Sequence, residues 1–277
     1  AGNDKITGGE GIDTIDAGGG DDIITIAAAE KGNTDVMDGG ADDDVLQLSA
    51  GKHTFGDDGK LKNIETIKTA SAGSEVILSA QKEALTITGD AGNDKITGGE
   101  GIDTIDAGDG TDTITGGKGD DIITGGAGDD IITGGTGTDT FKVDKGTDTI
   151  KDLSASDILV VSSGATANAT ISASYTATNV TKNDGIANLT IATADLSTDL
   201  SLASGSAGFN ITGSSGTDTI TATDKADTII IAAAGKGNSD TMDGGAKADV
   251  LQLSAGAHAF ADNDKLVNIE TIKTHSS

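Results

Sequence analysis

Between residues 89 and 151 an apolar position returns every nine residues, as Ile96, Ile105, Ile114, Ile123, Ile132, Phe141 and Ile150. Its neighbours on either side are mostly polar, as in Lys95 and Thr97 or Thr113 and Thr115. Successive side chains of a strand point to opposite faces, so this spacing predicts three-residue strands with the middle side chain inward. The other six positions of each unit are glycine-rich and acidic, which predicts a turn. Two such units are read as one coil, each turn then lying on the turn two units further along.

Written in register, the seven units are GDAGNDKIT, GGEGIDTID, AGDGTDTIT, GGKGDDIIT, GGAGDDIIT, GGTGTDTFK and VDKGTDTIK. Place four is always glycine (Gly92, Gly101, Gly110, Gly119, Gly128, Gly137, Gly146). Place six is always aspartate (Asp94, Asp103, Asp112, Asp121, Asp130, Asp139, Asp148). Such strict phasing separates the block from a disordered acidic linker and matches the G-G-x-G-x-D-x-U-x pattern of a calcium-binding parallel β-roll. Glycine lets the turn adopt positive φ and bring carbonyl oxygens close, and a carboxylate completes an oxygen-only set suited to a hard cation. The candidate ligands are therefore these seven aspartates with Gly99, Gly101, Gly108, Gly110, Gly117, Gly119, Gly126 and Gly128. Calcium is expected between stacked turns, at the pairs Asp94 with Asp112, Asp103 with Asp121, Asp112 with Asp130, Asp121 with Asp139 and Asp130 with Asp148. At millimolar calcium and a dissociation constant of about 0.1–1 mM, each site adds about 0.4–1.4 kcal/mol. About five sites supply roughly 2–7 kcal/mol, comparable with the stability of a small domain, so folding is expected to depend on calcium.

Composition sharpens this picture. The 277 residues carry a formal charge of −27 and contain no proline, cysteine, tryptophan or arginine. That acidity argues against nucleic acid or a bare anionic membrane as partner, and it makes a calcium-free chain repel itself. Without cysteine there is no disulfide framework, which leaves calcium to staple a thin core. No transmembrane segment is evident, since no apolar run approaches spanning length, and no leader opens the chain. AGNDKIT at residues 1–7 is places three to nine of a unit, so a piece of something longer is expected.

A longer repeat organises the rest. Residues 1–18 recur almost unchanged at 91–108, and 21–51 recur at 226–256, an offset of 205. KNIETIKT (62–69) likewise returns as VNIETIKT (267–274). The predicted class is all-β, with parallel β-roll (β-solenoid) blocks carrying calcium in their turns, joined by β segments without calcium. The blocks are 1–48, with Asp4, Asp13, Asp22, Asp35 and Asp44; 89–151; and a degenerate one at 213–252, with Asp218, Asp227, Asp240 and Asp249. Four-residue insertions, Ile26–Ala29 and Ile231–Ala234, break the phase of the outer blocks and could form one helical turn at most. Asn33 and Asn238 take the glycine place, as asparagine tolerates positive φ, and Asp42 and Lys247 take it in the following unit. Lys247 sets a cation beside an expected cation position, which argues against calcium there. Segments 49–88 and 152–212 alternate with period two, as in EVILSA, ALTITG, ILVV (158–161), ATISASY (169–175), LTIATADL (189–196) and FNIT (209–212), and 253–277 follows as a capping segment. They are expected to connect, continue or cap the coil.

No catalytic constellation appears: no HExxH, GxSxG, cysteine nucleophile or phosphate loop, so no enzyme is expected. His53, His258 and His275 lack a metal-binding neighbour and are expected at the solvated surface; Tyr175 is expected to pack. Thr97, Thr115 and Thr133 align as a row of the kind that orders water into ice, but Lys95, Ile131 and Lys151 interrupt its neighbours.

The nonapeptide units resemble those of the RTX (repeats-in-toxin) proteins, over roughly half of the chain. The resemblance implies type I export of an unfolded chain and folding outside the cell in calcium. Within that family the composition looks most like a bacterial surface-layer protein, on the cell surface, its copies held in a lattice by calcium. The expected partners are then calcium ions, further copies of the chain and a cell-surface glycan. A stiff spacer of a large adhesin, or the carrier region of a toxin or hydrolase, is the alternative.

Overall fold

The computed structural model describes residues 2–9, 11–26, 35–231, 240–256, 258, 260 and 265–274. The chain forms two compact units, Ala1–Asp139 and Thr140–Ser277, built almost wholly from short strands. Among the described residues there is no α-helix; the alanines of both insertions, where one helical turn at most is expected, lie outside them.

In the first unit the nonapeptide block winds as the nine-residue period requires. Strands Lys95–Thr97, Thr113–Lys118 and Ile131–Thr136 pair in parallel, with Ile96 opposite Ile114 and Ile114 opposite Ile132. The alternate units build a second parallel ladder from Thr86–Thr88, Thr104–Asp106 and Ile122–Thr124, with Ile87 opposite Ile105 and Ile105 opposite Ile123. Every one of these isoleucines is fully buried while places seven and nine are not. One inward side chain per strand makes the thin core that the alternation implies. The threonine row exists as expected, with Thr97 opposite Thr115 and Thr115 opposite Thr133.

Towards the N-terminus the coil changes its length but not its hand-over. Lys5 pairs with Ile23, whereas Ile23 pairs with Val45 and Thr14 with Val36, so four extra residues are absorbed within one coil. Through 49–88 the ladders continue, with Val45 opposite Thr66, Thr66 opposite Thr86, and Glu75 opposite Lys95. These coils carry isolated glycines at positive φ, Gly51 and Gly73, in place of the glycine-rich nonapeptide turns, and larger side chains fill them: Phe55, Leu61, Ile64, Leu78 and Leu85 are buried.

The second unit follows the same rule with longer strands. Thr166–Thr176 pairs through its first half with Ile186–Ile191 and through its second half with Ser197–Asp199. Ile186–Ile191 is followed by Phe209–Gly213, Thr228–Ile231, Val250–Leu253 and Thr271–Thr274, all parallel. The expected strand at 189–196 ends at Ile191, because the chain bends there before starting a new ladder at Ser197. Buried Ala165, Ala167, Ala169 and Ala187 allow close packing, and Tyr175 is buried with its hydroxyl 3.3 Å from Thr181 Oγ1.

His53 corrects the surface expectation for the histidines. It lies in strand Gly51–Thr54 opposite Val76, is fully buried, and its Nε2 sits 3.0 Å from the Ser49 carbonyl. An inward strand position decided its burial, a feature invisible without the register. His258 is half-buried, 3.1 Å from the Ser254 carbonyl, and His275 lies outside the described residues.

Candidate metal centre

The turns that join these strands stack as columns of backbone oxygen and carboxylate. Gly117 shows why glycine is needed: its φ is 126°, and a Cβ there would collide with the carbonyl oxygen of Gly99 one coil below. Gly119 stands in the same relation to Gly101, Gly126 to Gly108, and Gly128 to Gly110. Each turn thus presents its carbonyls to the next at a spacing that leaves no room for a side chain.

The place-six aspartates line up beside them. Asp94 donates its backbone N–H to Asp112 Oδ1 at 2.6 Å, Asp103 to Asp121 at 2.8 Å, Asp112 to Asp130 at 2.8 Å and Asp121 to Asp139 at 3.0 Å. The outer blocks repeat the ladder, from Asp4 to Asp22 and on to Asp44, from Asp13 to Asp35, from Asp218 to Asp240 and from Asp227 to Asp249. The structure therefore brings together four of the expected pairs in the central block, and Asp148 is buried in strand Thr147–Ala155. Asp4 is exposed and Asp13 half-buried; the other predicted aspartates are buried.

The second carboxylate oxygen is treated unevenly. Asp103 Oδ2 accepts from the Gly99 N–H at 2.8 Å, and Asp227 Oδ2 accepts from Thr223. By contrast Oδ2 of Asp22, Asp44, Asp112, Asp121 and Asp249 is buried with no donor among the described residues. A buried anionic oxygen without a donor is costly unless a cation meets it. The same loss of water pushes the Asp112 carboxyl up to about 6 and the Asp121 carboxyl to about 7, with neighbouring aspartates adding to the effect. Burial raises Asp94, Asp103, Asp130, Asp227 and Asp249 as well.

These features fit calcium. Among the described residues no three carboxylate or imidazole side chains converge, so any cation here takes most of its ligands from carbonyls. Calcium accepts six to eight oxygens of mixed kind, carbonyls included, and tolerates irregular geometry. Lys247 takes its turn at φ 88°; the Asp224 carboxyl is held low chiefly by its hydrogen bond from Lys225, with a small addition from Lys247, whereas burial and the acidic neighbours Asp227, Glu270 and Asp243 raise Asp249. Sequence reasoning missed two rungs, Glu65 and Glu270, which accept the backbone N–H of Asp44 and Asp249. Their signal was the NIE tripeptide common to both copies.

A parallel two-strand coil whose glycine–aspartate turns stack oxygen upon oxygen is a calcium-binding β-roll, a structural repeat. The chain matches the RTX calcium-binding nonapeptide repeat at residues 1–25, 32–52, 86–105, 106–141, 115–150, 212–230 and 235–257. The match spans more than half of its length, and the chain belongs to that family; its repeats bind calcium. No curated protein is similar to the chain over a significant stretch. Among the described residues no helix is long and apolar enough to cross a membrane.

Proposed function

We propose that this chain is a structural calcium-binding module of a secreted bacterial surface-layer protein, which folds and assembles on meeting extracellular calcium. The observation that carries the reading is the recurrence of carboxylate ladders at 4–44, 94–139 and 218–249, instead of in one terminal block. A module repeated at an offset of 205 residues suits a protein that tiles a surface, and so does a sequence with many small polar residues and no cysteine. The inward aspartates would hold calcium through Oδ2, with the carbonyls of the turn glycines around them. Calcium supplies positive charge between turns that otherwise repel. Copies of the chain, and a glycan on the cell surface, are the partners of such a lattice.

Calcium added to the purified chain tests the reading, with light scattering and electron microscopy as readouts. Ordered sheets are the expected product. Particles that stay monomeric through the folding transition would instead place the chain as a spacer of an adhesin or the carrier region of a toxin or hydrolase.

A further inference from the structure

The segments KNIETIKT (62–69) and VNIETIKT (267–274) contain neither glycine nor the nine-residue spacing, yet each sits on a glycine–aspartate turn. In the first, Asp38 pairs with Lys62 and Val45 with Thr66, so Asn63–Glu65 covers the span that Gly39–Asp44 covers one coil earlier, with three residues fewer. Asn63 takes the turn at φ 49° and Asn268 at φ 52°. Glutamate has one methylene more than aspartate, and here it reaches across the shortened turn to the same rung. Glu65 Oε2 accepts the Asp44 N–H at 2.7 Å, as Asp44 Oδ1 accepts the Asp22 N–H at 2.8 Å. Glu270 does the same for Asp249 at 2.8 Å.

The other side of the turn points to a ligand. Asp44 and Asp249 are buried to within 1% exposure, and among the described residues Oδ2 of each meets no hydrogen-bond donor. The Asn63 carbonyl and Asp44 Oδ2 both border the space above Gly39, and the Asn268 carbonyl and Asp249 Oδ2 both border that above Gly244. The same carbonyl and Oδ2 pairing occurs in the regular block, where the Gly116 carbonyl and Asp103 Oδ2 border Gly98. Two stretches far apart in sequence, one in each unit, thus carry one arrangement.

We propose that each Asn-Ile-Glu turn closes a further calcium site outside the nonapeptide pattern, formed by Asp44, the Asn63 carbonyl and Glu65 in one case and by Asp249, the Asn268 carbonyl and Glu270 in the other. The glutamate contributes negative charge as well as an acceptor, and the orphaned aspartate oxygen gains the cation it lacks. Beyond Glu65 the ladder meets Leu85, which has no carboxylate, so this site ends the N-terminal column.

Equilibrium dialysis with calcium on the full chain tests this with the variant E65Q/E270Q. Glutamine keeps the oxygen that accepts the aspartate N–H but removes the charge, so β structure at saturating calcium should persist. The expected result is two fewer calcium ions per chain, or two sites weakened at least tenfold, and one fewer in each single variant. Any folded variant that keeps the wild-type count and affinity overturns the proposal, because the glutamate is then only a hydrogen-bond acceptor. Failure of both single variants to fold at saturating calcium overturns it too, since each then does more than close one site of many. None of these readouts depends on whether the chain assembles into a lattice.

Discussion

Asp112 and Asp121 are held inside the turns as carboxyls that water cannot reach, with pKa values of about 6 and about 7 against an ordinary 3.8. Because the folded values lie above the unfolded one, the calcium-free fold takes up protons that the unfolded chain does not. Protonation therefore stabilises the calcium-free coil fully below about pH 4, and this contribution is lost as pH rises through 6 to 7. In chelator, circular dichroism should show more β structure at pH 4.5 than at pH 8. Calcium needs the ionised form, so its half-saturating concentration should rise as pH falls from 8 to 6. Glycine offers a second residue-level test. Gly117→Ala, at φ 126° over the Gly99 oxygen, should lower the stability of the calcium-loaded chain by about 1–3 kcal/mol or more. Gly9→Ala, with nothing nearby, should leave thermal unfolding almost unchanged. The aspartate rungs were legible in sequence because they recur at a fixed interval. Glu65 and Glu270 were not, because the shorter turn shifts them out of phase and changes the residue type.

At the scale of the strand and turn, one buried isoleucine is the apolar contribution of each of the strands Lys95–Thr97, Thr104–Asp106, Thr113–Lys118, Ile122–Thr124 and Ile131–Thr136 to the core. Ile114→Ala or Ile123→Ala should each cost about 2–5 kcal/mol in calcium-loaded unfolding, since stacked backbones cannot collapse into the gap. Thr115→Ala, on the outward face, should cost well under that. Periodicity made these strands readable: place eight is inward and place nine outward throughout the block. Outside the block the pattern of two was visible but the pairing was not. Nothing local in LTIATADL says that its strand stops at Ile191, or that Thr166–Thr176 serves two partners. Those outcomes follow from which neighbours the strand meets across coils. The same holds for the side-chain ladder in which Asn188 donates to Asn168 and Asn210 donates to Asn188, both at 2.8 Å. Asn188→Ala removes both bonds and should lower stability by about 1 kcal/mol or slightly more.

For the molecule as a whole, a net charge of −27 on so thin a core favours binding of a cation between the turns. Exposed or half-exposed ion pairs, such as Lys118 with Glu100 and Lys95 with Glu75, add little to that balance, because solvent screens them. Sodium chloride screens repulsion without bridging two turns, so raising it in chelator should not reproduce the effect of calcium. The most direct measurement is far-ultraviolet circular dichroism of the purified chain at pH 8 as calcium is raised from excess chelator to several millimolar. A cooperative passage from coil to β structure, reversed by chelator, is the expected result. A spectrum already fully β in chelator, and unmoved by calcium, would contradict the view that calcium between stacked turns holds this fold together.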